Sequence, residues 1–365
     1  MRYQALDALR GLSIAVMMLV NLPGSWQAVY PALLHANWHG FTVTDLVFPL
    51  FLFVIGSSLY FSLRQNQTIP KFHIALKIIK RGCLLFAIGL GLNSLWLLPP
   101  DSLEHLRIMG VMQRIGLVYI CSALILLYLP KLHSTTYLVA VIFIILTCYY
   151  FLLAQYSATP FALETNLVQA IDLKILGQAH MYKMHGIAFE PEEGLLSSLP
   201  AIVSVLLRYL ITQYLAHSQH ALAAVKKLFL IGGILLLLGL LLDDWMPINK
   251  NLWSSSYVLY SAGWCGWLLA FFVYLLDVRK QSSLAFPLIV FGLNPLFIYI
   301  LHWLLTLVYS KIPVANTNLY QSIYLWILQG DAPNQAASLL FAISQLFLLW
   351  GVCWLLYKRK IVIKL

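Results

Sequence analysis

Apolar runs of 16 to 25 residues recur along the chain, and short intervening stretches hold most of its charge. Crossing the hydrocarbon of a bilayer takes about 20 mostly apolar residues. By that measure ten spans are expected, at 5–22, 44–63, 77–96, 108–129, 136–154, 196–216, 227–242, 254–276, 284–308 and 336–357. Each must be helical, because lipid offers a backbone N–H or C=O no partner. The expected fold class is all-α: a polytopic membrane bundle of about ten transmembrane helices, with 1–365 forming one transmembrane domain.

Composition supports the pattern. Of 365 residues 61% are hydrophobic and 10% charged, with a mean hydropathy of +0.83. Soluble domains carry about 25% charged residues, so the apolar excess is expected to face lipid. The five cysteines lie in apolar runs without a CxxC pair. They read as small buried hydrophobes rather than as a disulfide framework or a zinc site. The opening MRYQALDALRGLSIAVMMLVN lacks a small-x-small cleavage site and is expected to stay as the first helix.

Charge then orients the bundle. With the N-terminus inside, the cytoplasmic ends carry 17 of the 23 Lys and Arg, among them Arg2, Arg10, Arg64, Lys77, Lys80, Arg81, Arg208, Lys226, Lys227, Arg279, Lys280 and Lys358 to Lys360. The outer ends carry Arg107, Lys174, Lys183, Lys250 and Lys311, while Arg114 falls within a span. Of the 13 acids only Asp7 and Asp277 lie inside. The positive-inside rule places both termini in the cytoplasm. The net charge of +10 is thus a topology signal, and no nucleic-acid partner is expected. Evenly spaced spans leave no room for a separate soluble domain, and no internal repeat argues for an inverted-repeat transporter. The long outer loop 155–195 contains the acidic turn FEPEEG, expected to lead in a structured way into the sixth span.

Polar side chains inside spans are costly and mark candidate sites. Asp7 and Arg10 share one helical face, as a local ion pair or as an element that binds an anionic cytosolic ligand. Asn21, at the outer end of that helix, is a polar cap or a site residue. GVMQRIGLVY puts Gln113 and Arg114 into an apolar helix, where the arginine needs an acid or a water-filled cavity. FGLNPLFIYILHW holds Asn294 before a proline, a kink signal, and His302, an interior histidine or a ligand contact.

The stretch LLHANWHGFTVTD leads into the second span. His35 and His39 have a spacing that suits two ligands on a helix, but HExxH, HxHxH and the HxxxxD acyltransferase box are absent, so no metal is expected. What remains is an imidazole near Asp45. A carboxylate that holds one tautomer suits general-base or nucleophilic work.

ALDALRG, MLVN, HANWHGFTVTDLVFPLFLFVIGSSL, LRIMGVMQRIGLVY, FEPEEGLLSSLPAI, VFGLNPLFIYILH and LLYKRKIVIKL follow in order over nearly the whole chain. Together they resemble the heparan-α-glucosaminide N-acetyltransferase family, the lysosomal enzyme and its bacterial relatives. The resemblance implies transfer of an acetyl group from cytosolic acetyl-CoA, across a membrane, to the amine of a terminal glucosamine. It carries the active-site histidine to His35 and its partner asparagine to Asn21. Where the lysosomal enzyme has an added luminal region and a further N-terminal span, this chain is expected to start directly at the ten-span core; the resemblance also makes a homodimer the expected assembly. Two departures fall near the acceptor side: His39 stands where an asparagine is expected, and LPGS replaces a glycine-rich turn after Asn21.

The expected catalytic set is therefore His35, Asn21 and Asp45. Asp7, Arg10, Gln113, Arg114, Asn294 and His302 are expected to contact acetyl-CoA, the co-substrate. The expected partners are an amino-sugar acceptor and membrane lipid, and the expected location is a bacterial inner membrane. An O-acyltransferase for envelope polysaccharide and an amino-sugar transporter are the alternatives.

Overall fold

Helices occupy all ten positions where apolar runs predict them. The computed structural model describes residues 4–66, 68–97, 100–128, 135–182, 192–218, 220–330 and 332–363. In chain order these are α1 (Gln4–Asn21), α2 (Val47–Gln65), α3 (Lys71–Trp96), α4 (Val111–Tyr128), α5 (Thr135–Ala154), the short α6 (Leu167–Leu176), α7 (Ser198–His217) and α8 (Ala221–Leu241). Then follow α9 (Ser255–Phe272, continued as a π-helix over Val273–Val278), α10 (Phe286–Gly292), α11 (Pro295–Lys311), α12 (Leu319–Leu328) and α13 (Gln335–Lys358). A two-residue hairpin, β1 (Pro313–Val314) with β2 (Thr317–Asn318), joins α11 to α12.

Among the described residues seven helices are long and apolar enough to cross a membrane: α2, α4, α5, α7, α8, α9 and α13. The pair α10 and α11, bent by 83°, makes eight if it is one span. The other two at expected positions, α1 and α3, fall outside that set; α1 carries Asp7 and Arg10, and α3 carries Lys71, Lys77, Lys80 and Arg81. In the most apolar windows of α5, α8 and α13 only 28% of residues are buried, against 61% for α2 and α7. Phe143, Leu237 and Phe347 accordingly stand exposed, as a lipid-facing surface requires. This corrects the expectation for the cysteines. Cys265 and Cys353 are buried, but Cys83, Cys121 and Cys148 are exposed, because an apolar residue needs no burial where lipid is the solvent.

Contacts group the chain into two units. The first holds the chain up to Ala36, Thr42–Phe48 and the chain from Phe271 onward. Within it α1 packs on α10, α11 and α13. The α1–α10 approach is backbone on backbone: a Cβ on Gly11 would lie 1.7 Å from the Leu288 carbonyl oxygen. The second unit holds Asn37–Phe41 and Pro49–Ala270, with α3 on α4, and α7 against α4, α5 and α8.

Asparagines start three of the helices in the expected way. Asn166, Asn318 and Asn334 each accept a hydrogen bond from a backbone N–H in the first turn. The predicted kink before Pro295 is a full break between α10 and α11. Within the acidic turn, Phe189 to Pro191 lie outside the described residues, whereas Glu192 to Ser197 run directly into α7.

Candidate functional site

His35 and Asp45 are ten residues apart in sequence and meet in the first unit. His35 Nδ1 lies 2.6 Å from Asp45 Oδ1. Local rules bring them there. Thr42 and Asp45 stand in the T-x-x-D relation of a capping box at the entry to a 3₁₀ turn (Thr44–Leu46) that continues into α2. Asp45 Oδ2 accepts from the Thr42 N–H at 2.9 Å, and also from the Ala36 N–H at 3.1 Å, which ties down the far side of the loop. The carboxylate side chain is 1% exposed and the imidazole 38%. A carboxylate accepts only, so Nδ1 carries the proton and Nε2 becomes the basic, nucleophilic nitrogen. Such an arrangement can take a proton or an acyl group.

The other expected residues of this unit have their own surroundings. Asn21 ends α1, is exposed, and its side chain makes no hydrogen bond among the described residues. Asp7 and Arg10 do form the local ion pair, Oδ1 to Nη1 at 3.2 Å, and the same Nη1 donates to the Gly292 carbonyl at the end of α10 at 3.4 Å. Asn294 is diverted from capping α11. Its Nδ2 donates to the Ile361 carbonyl at 3.1 Å and its Oδ1 accepts from the Ile363 N–H at 2.7 Å, so it clasps the C-terminal segment. His302 is buried, with Nδ1 bonded to the Tyr299 carbonyl at 2.6 Å.

Gln113 and Arg114 belong to the second unit, and both are 1% exposed. Arg114 donates to the Ser197 carbonyl and stacks on Trp253, its guanidinium carbon 4.2 Å from the ring centre. Around it the start of α7 is nailed down: Arg107 pairs with Glu193 at 2.5 Å, and Lys250 with Glu192 at 2.8 Å. Asp172 Oδ1 accepts from the Leu195 N–H at 2.9 Å, while Oδ2 is buried without a hydrogen-bond partner among the described residues. Burial raises the Asp172 pKa to about 6, against the opposing backbone N–H groups and Arg114. Gly194 is required here, since a Cβ would lie 2.0 Å from Asp172 Oδ2.

Trp38 and His39 also belong to the second unit. The Trp38 indole donates to the Phe161 carbonyl at 2.8 Å, and the Asn249 amide donates to the Trp38 carbonyl at 2.8 Å and meets His39 Nδ1 at 3.3 Å. Desolvation lowers the His39 pKa, against the charge of Asp243. No group of three or more His, Cys, Asp or Glu that could hold a metal occurs among the described residues.

Arg208 corrects the charge reading. The positive-inside pattern assigns it to a cytoplasmic end, but it is 0% exposed in the middle of α7. Its Nε donates to Ser57 of α2, and its guanidinium carbon lies 4.3 Å over the Phe53 ring. The signal was visible: SLPAIVSVLLRYLITQYLAH places the arginine eleven residues into an apolar run, too deep for a flank. Asp172, on the short α6, and Asn249, in a loop, carry no comparable signal.

Residues 2–174 match the family model described as heparan-alpha-glucosaminide N-acetyltransferase, catalytic. The mouse protein named heparan-alpha-glucosaminide N-acetyltransferase is 26% identical over an alignment that covers 82% of this chain and 53% of the mouse protein. The human protein of the same name is 27% identical, covering 82% of this chain and 52% of its own. The chain thus spans about half the length of the curated relatives it matches. His35, Asp45, Gln113 and Arg114 all lie within the matched segment, and over most of its length the chain is similar to the heparan-α-glucosaminide N-acetyltransferases.

Proposed function

We propose that this chain is a transmembrane acetyltransferase, moving acetyl from cytosolic acetyl-CoA to the amine of a glucosamine-type sugar on the opposite side. The observation that carries this reading is the His35–Asp45 pair, a half-exposed imidazole at 2.6 Å from a buried carboxylate. Nε2 takes the proton of the acceptor amine as nitrogen attacks the thioester carbonyl carbon; the C–S bond breaks, and the departing sulfur receives that proton from Nε2, so coenzyme A leaves as its thiol. The Asn21 carboxamide is proposed to hold the carbonyl oxygen as it gains charge. A second route uses the same pair: Nε2 attacks the thioester carbonyl carbon and the C–S bond breaks to release coenzyme A thiolate; the amine then attacks the acetylated imidazole, the bond to Nε2 breaks, and Nε2 takes the amine proton and passes it to the thiolate. An acetyl adduct on His35 in the absence of acceptor marks that route.

Ten spans with both termini in the cytoplasm of a bacterial inner membrane complete the proposal, supported by the skew of basic residues. The purified protein, given acetyl-CoA and glucosamine, is expected to release coenzyme A thiol and form an amide, and His35→Ala is expected to abolish both. An ester product would favour O-acyl transfer to polysaccharide. Uptake of sugar into liposomes without acetyl-CoA would favour transport. Asp7, Arg10, Gln113, Arg114, Asn294 and His302 are proposed donor contacts. Arg10→Gln and Arg114→Gln should each raise the KM for acetyl-CoA, and an unchanged KM removes that residue from the set.

A further inference from the structure

We propose that Thr42 is a positioning residue for the His35–Asp45 pair, holding imidazole and carboxylate in one arrangement from both sides. This rests on the reading of those two residues as the reacting pair. The backbone N–H of Thr42 donates to Asp45 Oδ2 at 2.9 Å. Its hydroxyl lies 2.7 Å from the carbonyl oxygen of Leu34, the peptide that leads directly into His35, and 3.1 Å from Asp45 Oδ2.

In an ordinary capping box the threonine hydroxyl accepts from the backbone N–H three residues on. Here that N–H bonds instead to the Thr42 carbonyl at 3.2 Å, and no side chain caps the 3₁₀ turn. The hydroxyl is spared from capping and its single proton is aimed at the segment carrying His35. Asp45 Oδ2 closes the loop from the other side through the Ala36 N–H. Sliding His35 along Asp45 would therefore break bonds at Leu34, Ala36 and Thr42 together. Transfer chemistry is sensitive to such slips, because a displacement of about 1 Å costs about a hundredfold in rate.

The test is coenzyme A release by the purified full chain carrying Thr42→Val, Thr42→Ser, Asp45→Asn, the double variant Thr42→Val/Asp45→Asn, or His35→Ala. Thr42→Val should lower kcat about ten- to a hundredfold while the KM for acetyl-CoA stays within about twofold. Thr42→Ser, which keeps the hydroxyl, should restore kcat. On the Asp45→Asn background Thr42→Val should cost nothing further, since the hydroxyl fixes the His35 segment only relative to the Asp45 carboxylate, and that partner is already gone. Should Thr42→Val fail to fold, Thr42→Ala carries the same comparison. Wild-type kcat in Thr42→Val, no rescue by serine, or a full additional loss in the double variant overturns the proposal. Activity in His35→Ala overturns the reading beneath it instead.

Discussion

Asp45 and Asp172 are both buried carboxylates, each 1% exposed, and they show how partners decide what burial does. Asp45 meets the imidazole with one oxygen, and its other oxygen accepts from two backbone N–H groups and lies 3.1 Å from the Thr42 hydroxyl. Asp172 satisfies one oxygen and leaves the second buried without a hydrogen-bond partner among the described residues, and burial raises its pKa from 3.8 to about 6. The folded state thus holds this proton more tightly than the unfolded chain. Its contribution to stability is present in full below pH 3.8, fades as pH rises to about 6, and is absent above. The loss amounts to about 3 kcal/mol. Asp172→Asn, which stays neutral, is expected to raise the thermal midpoint at pH 8 and to change it little near pH 4. A variant less stable than wild type at pH 8 would contradict this. At this scale the sequence was informative where chemistry is compact: the block around His35 exposed the imidazole and its carboxylate. It hid Thr42, whose hydroxyl matters through a backbone carbonyl, and Asn249, which holds Trp38 from over two hundred residues away.

Helix-level features divide between contact of bare backbone and local hydrogen bonding. Gly11 lets α1 lie on α10, so Gly11→Val forces a side chain into the Leu288 carbonyl. Overpacking of this kind costs about 1–3 kcal/mol or more, and the expected outcome is a marked drop in the thermal midpoint. Asn294→Ala should act more gently. It removes two hydrogen bonds to the C-terminal segment, each worth about 1 kcal/mol, and tryptic cleavage after Lys358, Arg359 and Lys360 should quicken while the helices persist. Unchanged cleavage would show that the clasp does not hold the tail. The Asn-Pro dipeptide told of a kink because proline forbids the continuing hydrogen bond, but its 83° size depends on packing that no dipeptide encodes.

At the scale of the whole molecule, apolar runs located the helices because hydrophobic length is a local property of the chain. Burial was less legible. Exposed cysteines and the buried Arg208 both confound a rule that equates apolar with inside and basic with flank. The proposed topology makes a direct prediction. In a cysteine-free background, Asn316→Cys is expected to react with an impermeant maleimide on intact cells, whereas Ser282→Cys should react only after permeabilisation. The reverse pattern would invert the orientation.

The central claim is that His35 receives chemistry from one compartment and delivers it to the other. Vesicles holding the protein with its termini outward, glucosamine sealed within and labelled acetyl-CoA added outside, measure it most directly. The account predicts labelled N-acetylglucosamine accumulating inside, and none with His35→Ala. Equal accumulation in the variant, or product formed only in the outer medium, would contradict it.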